Sequence, residues 1–545
     1  MGLIPIMILA ALASTARVFT VIGLSILTGW GFGYISIKSK VFENVYVALN
    51  EVFESVPVIA FFPVVLILFV NRIGGFVGVE LASDFLVFTA VVWNIWIGIY
   101  QAFKTVPIPM IEEIENLRYG FLDKLRYLYI PFSMPRIAAN LIPSFSDAFF
   151  YIMVSEVFTI GSTSYSTFGI GSLIVKLVRL GMWNYVSYAL LILGIIIGGS
   201  VYLLREFSTY AIARYSLESD IPVPRTRQIQ RYVAKFYSPI IKPTKRIRYY
   251  FASKRAPTRG RRGKEGYDYY SERETGQRIL KVLGSAVALL ILGIIIYSSF
   301  SLLTSITYAE WRYIFSNTLE IVYALAYDYA RVAVIAVLSF LVALFVSYSI
   351  VNHRRIEALL ISIIQILAAY PAPAYFPILF AVTYGIVYRF SGALTTEFFV
   401  ILLGFLSTFY YIFYNIWVGI KAIPKEIWEL MDNLGMGYFQ RIRYVILPGT
   451  LPYTITGLTS TVNSAWGGLM IAEYWPNIVD GKSLEVSHGL MKLLDLWTYQ
   501  GNLMLASWAS FIFSLFVIVF SVVFTRNMMN LSKEKYVIEE GIYAT

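Results

Sequence analysis

Eleven apolar runs constrain this chain more than anything else in it. They lie near 18–36, 57–71, 84–103, 139–160, 184–204, 279–300, 331–350, 374–388, 396–420, 454–475 and 503–525. A helix needs roughly 20 residues to cross about 30 Å of hydrocarbon, so most of the runs can span a bilayer, and the shorter ones extend into their flanks or tilt. With 58% hydrophobic and only 14% charged residues among 545, the chain has more apolar surface than a soluble core can use. The strict alternation of a membrane barrel is absent, so the spans are helices. The reading is an all-α polytopic membrane protein with eleven spans, give or take one.

What is missing narrows the chemistry. There is no cysteine, which excludes disulfides, thiolate metal sites and cysteine nucleophiles. His353 and His488 lie in different halves with no second ligand nearby in sequence, and are read as loop residues; no metal site is expected. Ala11, Leu12 and Ala13 resemble a cleavage site, but Met1 to Ile4 contain no basic region, so the N-terminus is expected to be retained.

The formal charge of +11 is concentrated in residues 207–277, which hold 16 Lys and Arg against 6 Asp and Glu. Positive segments stay in the cytoplasm, and Arg205, Arg214, Arg273, Arg278 and Lys281 sit near the membrane ends where that rule is strongest. This polar, proline-punctuated stretch reads as a cytoplasmic linker whose basic residues meet anionic lipid headgroups. It lacks the aromatic stacking pattern of a nucleic-acid arm, so no nucleic-acid partner is expected.

The chain also repeats itself. Glu112, Asn116, Leu117, Gly120, Arg126, Tyr127, Pro131 and Pro135 return 317 residues later as Glu429, Asn433, Leu434, Gly437, Arg443, Tyr444, Pro448 and Pro452, 8 identities in 24 gapless positions. Ala16-Arg17-Val18 matches Ala330-Arg331-Val332, and Pro57 to Pro63 returns as Pro371 to Pro377, each 40 residues beyond its arginine. Asn94 to Ile99 returns as Asn415 to Ile420, and Phe149 with Glu156 as Trp466 with Glu473. The expected organisation is a first repeat of about five spans at 1–206, the linker at 207–277, an extra span and external segment at 278–329, and a second repeat at 330–545. The extra run at 279–300 reverses direction, so both copies share one orientation about a pseudo-twofold along the membrane normal. The segment 301–329 carries Glu310, Glu320 and Asp328 against Arg312 alone, as an external segment should.

Each repeated segment reads as a short amphipathic helix outside the membrane. Carboxylates at Glu112, Glu113 and Glu115, or Glu426 and Glu429, complement its N-terminal dipole, and Lys124 and Arg126, or Arg441 and Arg443, its C-terminus. Pro131 and Pro135, like Pro448 and Pro452, are expected to stop it and turn the chain into the next span.

Read with their neighbours, these residues resemble the loop shared by permease subunits of binding-protein-dependent ABC importers: Glu429, Leu430, Met431, then Gly435, then Leu447 and Pro448. The first copy departs from it, with Arg118 at the glycine position and Ile130 before Pro131. Thr454 to Leu458, then Ala465, Trp466, Leu469, Ala472 and Glu473, together with the proline motifs, are similar to the nitrate, sulfonate and taurine branch, with the type I fold. The resemblance covers roughly 16–206 and 330–530. It implies that Glu112, Asn116, Leu117, Gly120, Arg126, Glu429, Asn433, Leu434, Gly435, Gly437 and Arg443 couple the chain to a dimer of ABC ATPases. It also implies an extracytoplasmic solute-binding protein, location in the plasma membrane, and alternating access driven by ATP.

The chain contains no motor of its own. Gly481-Lys482-Ser483 looks like the end of a phosphate-binding loop, but the required first glycine falls at Pro476. The chain is therefore a transport subunit rather than an enzyme, with ATP and Mg²⁺ in the partner ATPase and no cofactor here. Two ATPase clefts and two repeats suit one fused chain per transporter.

Pathway residues are sought where polar groups interrupt the spans. Glu156 and Glu473 sit on apolar runs, where a charge costs on the order of 3 kcal/mol unless it faces inward or lies near an end. They are candidates for a structural or gate role, or for substrate contact. Arg17 and Arg331 either pair with acidic groups or snorkel to the interface. Phe149 and Trp466 are further pathway or gate candidates, read as packing aromatics rather than a substrate cage, and Gly29 with Gly33 and Gly194 with Gly198 read as close helix contacts. The alternative reading is an ion-gradient-driven secondary transporter or channel, which would place ionisable residues in the membrane rather than paired levers outside it.

Overall fold

The computed structural model describes residues 2–215 and 307–528 apart from positions 57, 118, 161–162, 352, 480, 521–522 and 525–526, together with positions 282, 285, 286 and 289. The expected span at 279–300 and most of the 207–277 linker lie outside the described residues.

The first half comprises α1 (Leu3–Lys38), α2 (Lys40–Ser55), a 3₁₀ turn (Val58–Phe61), α3 (Phe62–Val65), a π-helical segment (Leu66–Ile73) and α4 (Gly75–Lys104). It continues through α5 (Ile108–Asn116), α6 (Phe121–Lys124), a π turn (Leu125–Tyr129), α7 (Ile130–Ser155), β1 (Val157–Ile160), β2 (Thr163–Ser166), α8 (Ile170–Arg179) and α9 (Trp183–Tyr215). The second half follows the same order: α10 (Tyr308–Val351), α11 (Arg354–Ala369), α12 (Ala372–Ser391), a 3₁₀ turn (Gly392–Leu394) and α13 (Thr395–Lys421). Then come α14 (Lys425–Asn433), α15 (Tyr438–Arg441), a π turn (Ile442–Ile446), α16 (Leu447–Gly449), α17 (Leu451–Ala472), β3 (Tyr474–Val479), β4 (Lys482–Glu485), α18 (Leu490–Tyr499) and α19 (Leu503–Phe520).

Among the described residues, seven helical stretches are long and apolar enough to cross a membrane, the longest of which, Ala372–Lys421, contains both α12 and α13. The apolar run at 57–71 is not one long helix but the succession of 3₁₀, α and π turns from Val58 to Ile73. Apolar residues there do not suffice for a straight span.

Packing repeats as well. In the first half α4 lies against α1 and α7, and in the second α13 lies against α10 and α17. Gly29 and Gly33 face Ile99 and Phe103 of α4, and a methyl at Gly29 would come within 2.7 Å of Ile99. The halves exchange residues reciprocally: Val56 and Ala60 join the core of the second half, while Ala369 and Ala374 join that of the first.

Three expectations change. The first concerns the repeated segments, which are each two helices rather than one. α5 and α14 end at Asn116 and Asn433, and Gly435, at φ 60°, supplies the left-handed residue that closes α14. The equivalent Arg118 lies outside the described residues. The prolines do not stop a helix: α6 runs through its π turn into α7, with Pro135 and Pro143 inside it. The π turn just ahead of Pro131 relieves the clash its ring would make with a carbonyl of the preceding turn. In the second copy the chain breaks at Thr450, between α16 and α17, not at Pro448.

The second concerns boundaries. Helix α9 continues past 206 to Tyr215, because Ala211 is buried and Ser208 donates to the Ala138 carbonyl, 2.8 Å. The segment before 330 is helical from Tyr308, where Trp311 and Phe315 stack and both meet Trp508 edge-on. The third is the pair of antiparallel hairpins, β1–β2 and β3–β4, which four- to six-residue strands hide among longer apolar runs. Gly481, at φ 75°, lies at the turn of the second hairpin, where Val479 pairs with Lys482; Lys482 and Ser483 of the phosphate-loop lookalike belong to strand β4.

Candidate functional site

Each half carries a buried ion-pair cluster where its hairpin begins. Glu156 and Glu473 are the first residues beyond α7 and α17, and both are wholly buried. Arg17 donates to Glu156 at 3.1 Å through Nη1 and sets its Nη2 against both carboxylate oxygens of Glu80 at 2.9 and 2.7 Å. Arg331 repeats this, donating to Glu473 at 3.0 Å and forking onto Glu397 at 2.7 and 2.6 Å. Pairing, not snorkelling, describes both arginines. Bidentate guanidinium–carboxylate bonds are the strong kind, and burial demands them.

Behind each arginine the carboxylate cradles a short helix. Glu156 accepts from the Gly171 and Ser172 amides at 2.7 and 3.4 Å, and Glu473 from the Lys492 amide at 3.3 Å. An anion at a helix N-terminus satisfies donors that the helix cannot. The approach is so close that a Cβ on Gly169 or Gly489 would overlap the carboxylate of Glu156 or Glu473. Both carboxylates are thus engaged with the N-termini of α8 and α18. Phe149 and Trp466, two turns before the glutamates, are fully buried in the two main cores.

The opposite ends of the same spans carry a second pair of matched contacts. Lys104, the last residue of α4, reaches Glu43 at 2.6 Å, and Tyr100 donates to the same carboxylate at 2.6 Å. Lys421, the last of α13, reaches Glu357 at 2.8 Å, and the Trp417 indole donates to it at 2.8 Å. Burial works to raise the Glu43 carboxyl, but the hydrogen bonds from Lys104, Tyr100 and Lys40 prevail and hold it down at about 2. These braces fix the point from which α5 and α14 leave the bundle.

Both short helices are tied down by one further pair each, Lys124–Glu115 at 3.2 Å and Arg441–Asp432 at 2.8 Å. Aromatic contacts anchor the following turn: Tyr34 meets Phe121 at 4.8 Å, and Tyr348 meets Tyr438 at 4.9 Å. Glu112, Asn116, Leu117, Gly120, Glu429, Asn433, Leu434, Gly435, Gly437 and Arg443 are exposed, and Arg126 is half-buried. Leu122 and Phe439 are both more than 70% exposed on the same segments. Two charged helices with exposed apolar neighbours form a surface suited to docking.

Between the halves, the Tyr411 hydroxyl of α13 donates to the Asp147 carboxylate of α7. Sequence reading missed Asp147, the braces at Glu43 and Glu357, and the arginine partners Glu80 and Glu397. All but Asp147 recur in the second half at the spacing of the repeat, a signal open to anyone who aligns the halves charge by charge.

Among known proteins, a family match falls in the second half. Residues 337–533 match the family described as binding-protein-dependent transport system inner membrane component. The chain is 34% identical over 73 residues to the putative aliphatic sulfonates transport permease protein SsuC of Bacillus subtilis, covering 13% of this chain and 26% of that one. It is 32% identical over 111 residues to the nitrate import permease protein NrtB of Synechococcus elongatus, covering 20% of this chain and 36% of that one. The matched stretches thus span about a quarter to a third of these curated relatives. No solved structure matches the chain. With seven helical stretches among its described residues that are long and apolar enough to cross a membrane, this is a multi-pass protein of the cell membrane whose second half matches the inner-membrane component of binding-protein-dependent transport systems.

Proposed function

We propose that this chain is the fused permease of an ABC importer, in which two repeats, 1–206 and 330–545, form one translocation pathway about a pseudo-twofold axis. The observation that carries the reading is the pair α5 and α14: two exposed amphipathic helices at matched positions, each braced at its root and followed by a π turn leading towards a span. Packing alone does not call for two such projections. They suit the clefts of a separate ABC ATPase dimer, which binds ATP and Mg²⁺, while a solute-binding protein delivers cargo outside. Residues Glu112 to Arg126 and Glu429 to Arg443 are the coupling surface, and the 207–277 segment is a basic cytoplasmic tether against anionic lipid. Swinging such a pathway from mostly inward to mostly outward takes roughly 5.5 kcal/mol, which tight binding of ATP to one state supplies.

The test is purification of the tagged chain from its native membrane in mild detergent, followed by mass spectrometry and an ATPase assay. An ABC ATPase at two copies per chain is expected, and it is lost when Glu429→Ala and Gly435→Ala are combined in a chain that still folds. Recovery of the chain alone, without ATPase activity, would move the function to an ion-gradient-driven transporter.

A further inference from the structure

A cavity of about 310 Å³ lies between the halves, walled by α8 on one side and by β3 and α18 on the other. Its volume is on the order of ten liquid waters, room for a small solute. The two helices correspond residue by residue, since Gly169 and Gly489 sit alike against Glu156 and Glu473 just before them. The sixth residue of α8 is Val175 and the sixth of α18 is Asp495, and both line the cavity. The apolar wall shows that packing at this place needs no charge.

Asp495 has no hydrogen-bond or ion-pair partner among the described residues. Burial, and then the Glu473 carboxylate, push its carboxyl up from the ordinary range. An acid kept there without a counter-charge costs stability in the empty protein. The same cavity is lined by Tyr474, Trp475 and Tyr499, a residue class whose rings attract cations, and by the hydroxyl-bearing Thr498. Arg179, the last residue of α8, is exposed and lines the same cavity.

We infer that this cavity receives a small solute bearing a cationic organic nitrogen, with Asp495 as its counter-ion and the aromatic rings around it as its cage. As a statement about cargo it rests on the importer reading; as a binding site it is tested without it. Asp147 adds a second carboxylate at the boundary between the halves, on α7.

The test uses the full chain in lipid nanodiscs, following thermal unfolding and tryptophan fluorescence with three probes: choline, its uncharged isostere 3,3-dimethyl-1-butanol, and glycine betaine. Choline should raise the Tm saturably while the isostere leaves it unchanged. Asp495→Asn should weaken choline binding by about tenfold or more, the scale of one charge-assisted bond. Asp495→Val, which copies the facing wall and removes a half-buried, unpaired charge, should do the same in a chain that still folds. Tighter betaine binding that Arg179→Gln abolishes would make the solute a zwitterion held at both ends; betaine no tighter than choline would make it a plain cation. No effect of choline on wild type, an equal effect of the isostere, or choline binding retained in Asp495→Asn overturns the proposal. Cation binding by a chain that co-purifies without an ATPase would sink the importer reading and leave the site standing.

Discussion

Arg17 keeps 16% of its side chain exposed and Arg331 only 5%, although the two hold equivalent carboxylates. In the first half, Ser14 donates to Glu156 and accepts from the Ile170 amide at 2.9 Å. Its place in the second half is taken by Asp328, which accepts from Leu490 and Met491 at 3.0 and 3.4 Å while also meeting Arg331 at 3.2 Å. The first cluster's spare acid, Asp84, stands 3.9 Å from Arg17 and is 43% exposed. The same helix N-terminus is thus capped once by a buried hydroxyl and once by a buried carboxylate. One architecture tolerates both, but the second stakes more of its stability on a single guanidinium.

The comparison breaks most visibly at the arginines. Arg331→Met leaves Asp328, Glu397 and Glu473 without their shared cation, and should cost about 3 to 5 kcal/mol in thermal or denaturant unfolding in detergent. Arg17→Met leaves one wholly buried carboxylate, Glu156, without its cation where Arg331→Met leaves two, and should cost less, about 1 to 3 kcal/mol. Equal losses would mean that burial does not distinguish the clusters. Next come the glycines: alanine at Gly169 or Gly489 forces α8 or α18 off its carboxylate, for about 1 to 3 kcal/mol, with increased protease cutting at the hairpin as the readout.

A smaller effect sharpens the comparison. Asp328→Ser, which installs the first half's residue, should stay within about 1 kcal/mol of wild type, because a hydroxyl still accepts from the helix and one buried charge is gone. Asp328→Leu, which leaves two amides unsatisfied, should cost more. The smallest effect lies at the braces. Because the Glu43 carboxyl is held at about 2, below its unfolded value, it contributes stability that is complete above its unfolded pKa and disappears as pH falls towards 2. The Tm advantage of wild type over Glu43→Gln should therefore shrink from about pH 5 downward. A constant advantage would show that the contact acts through packing alone.

Much of this was legible because membrane helices announce themselves in composition and because the chain states its pattern twice. Arg17 with Arg331, and Glu156 with Glu473, stand out as charges on apolar runs. Their partners Glu80 and Glu397 do not, since they lie about 65 residues from the arginines and look like ordinary span ends. The hairpins are short and follow directly from helices, so period-two alternation has no room to register. The proline pairs misled for a physical reason: proline breaks an α-helix, but a π turn ahead of it removes the clash that would make it do so.

That π turn sets a phase. Spreading five residues over a turn that otherwise holds fewer advances the helix by one position, so every side chain beyond Tyr129 is rotated by about 100° from where an unbroken α-helix would aim it. The two faces of α7, one that turns Phe145 and Phe149 into the first half's core and one that turns Asp147 towards Tyr411, are therefore both measured from residues 125–129. Deleting one residue there would keep every span intact and turn the wrong face of α7 towards the other half.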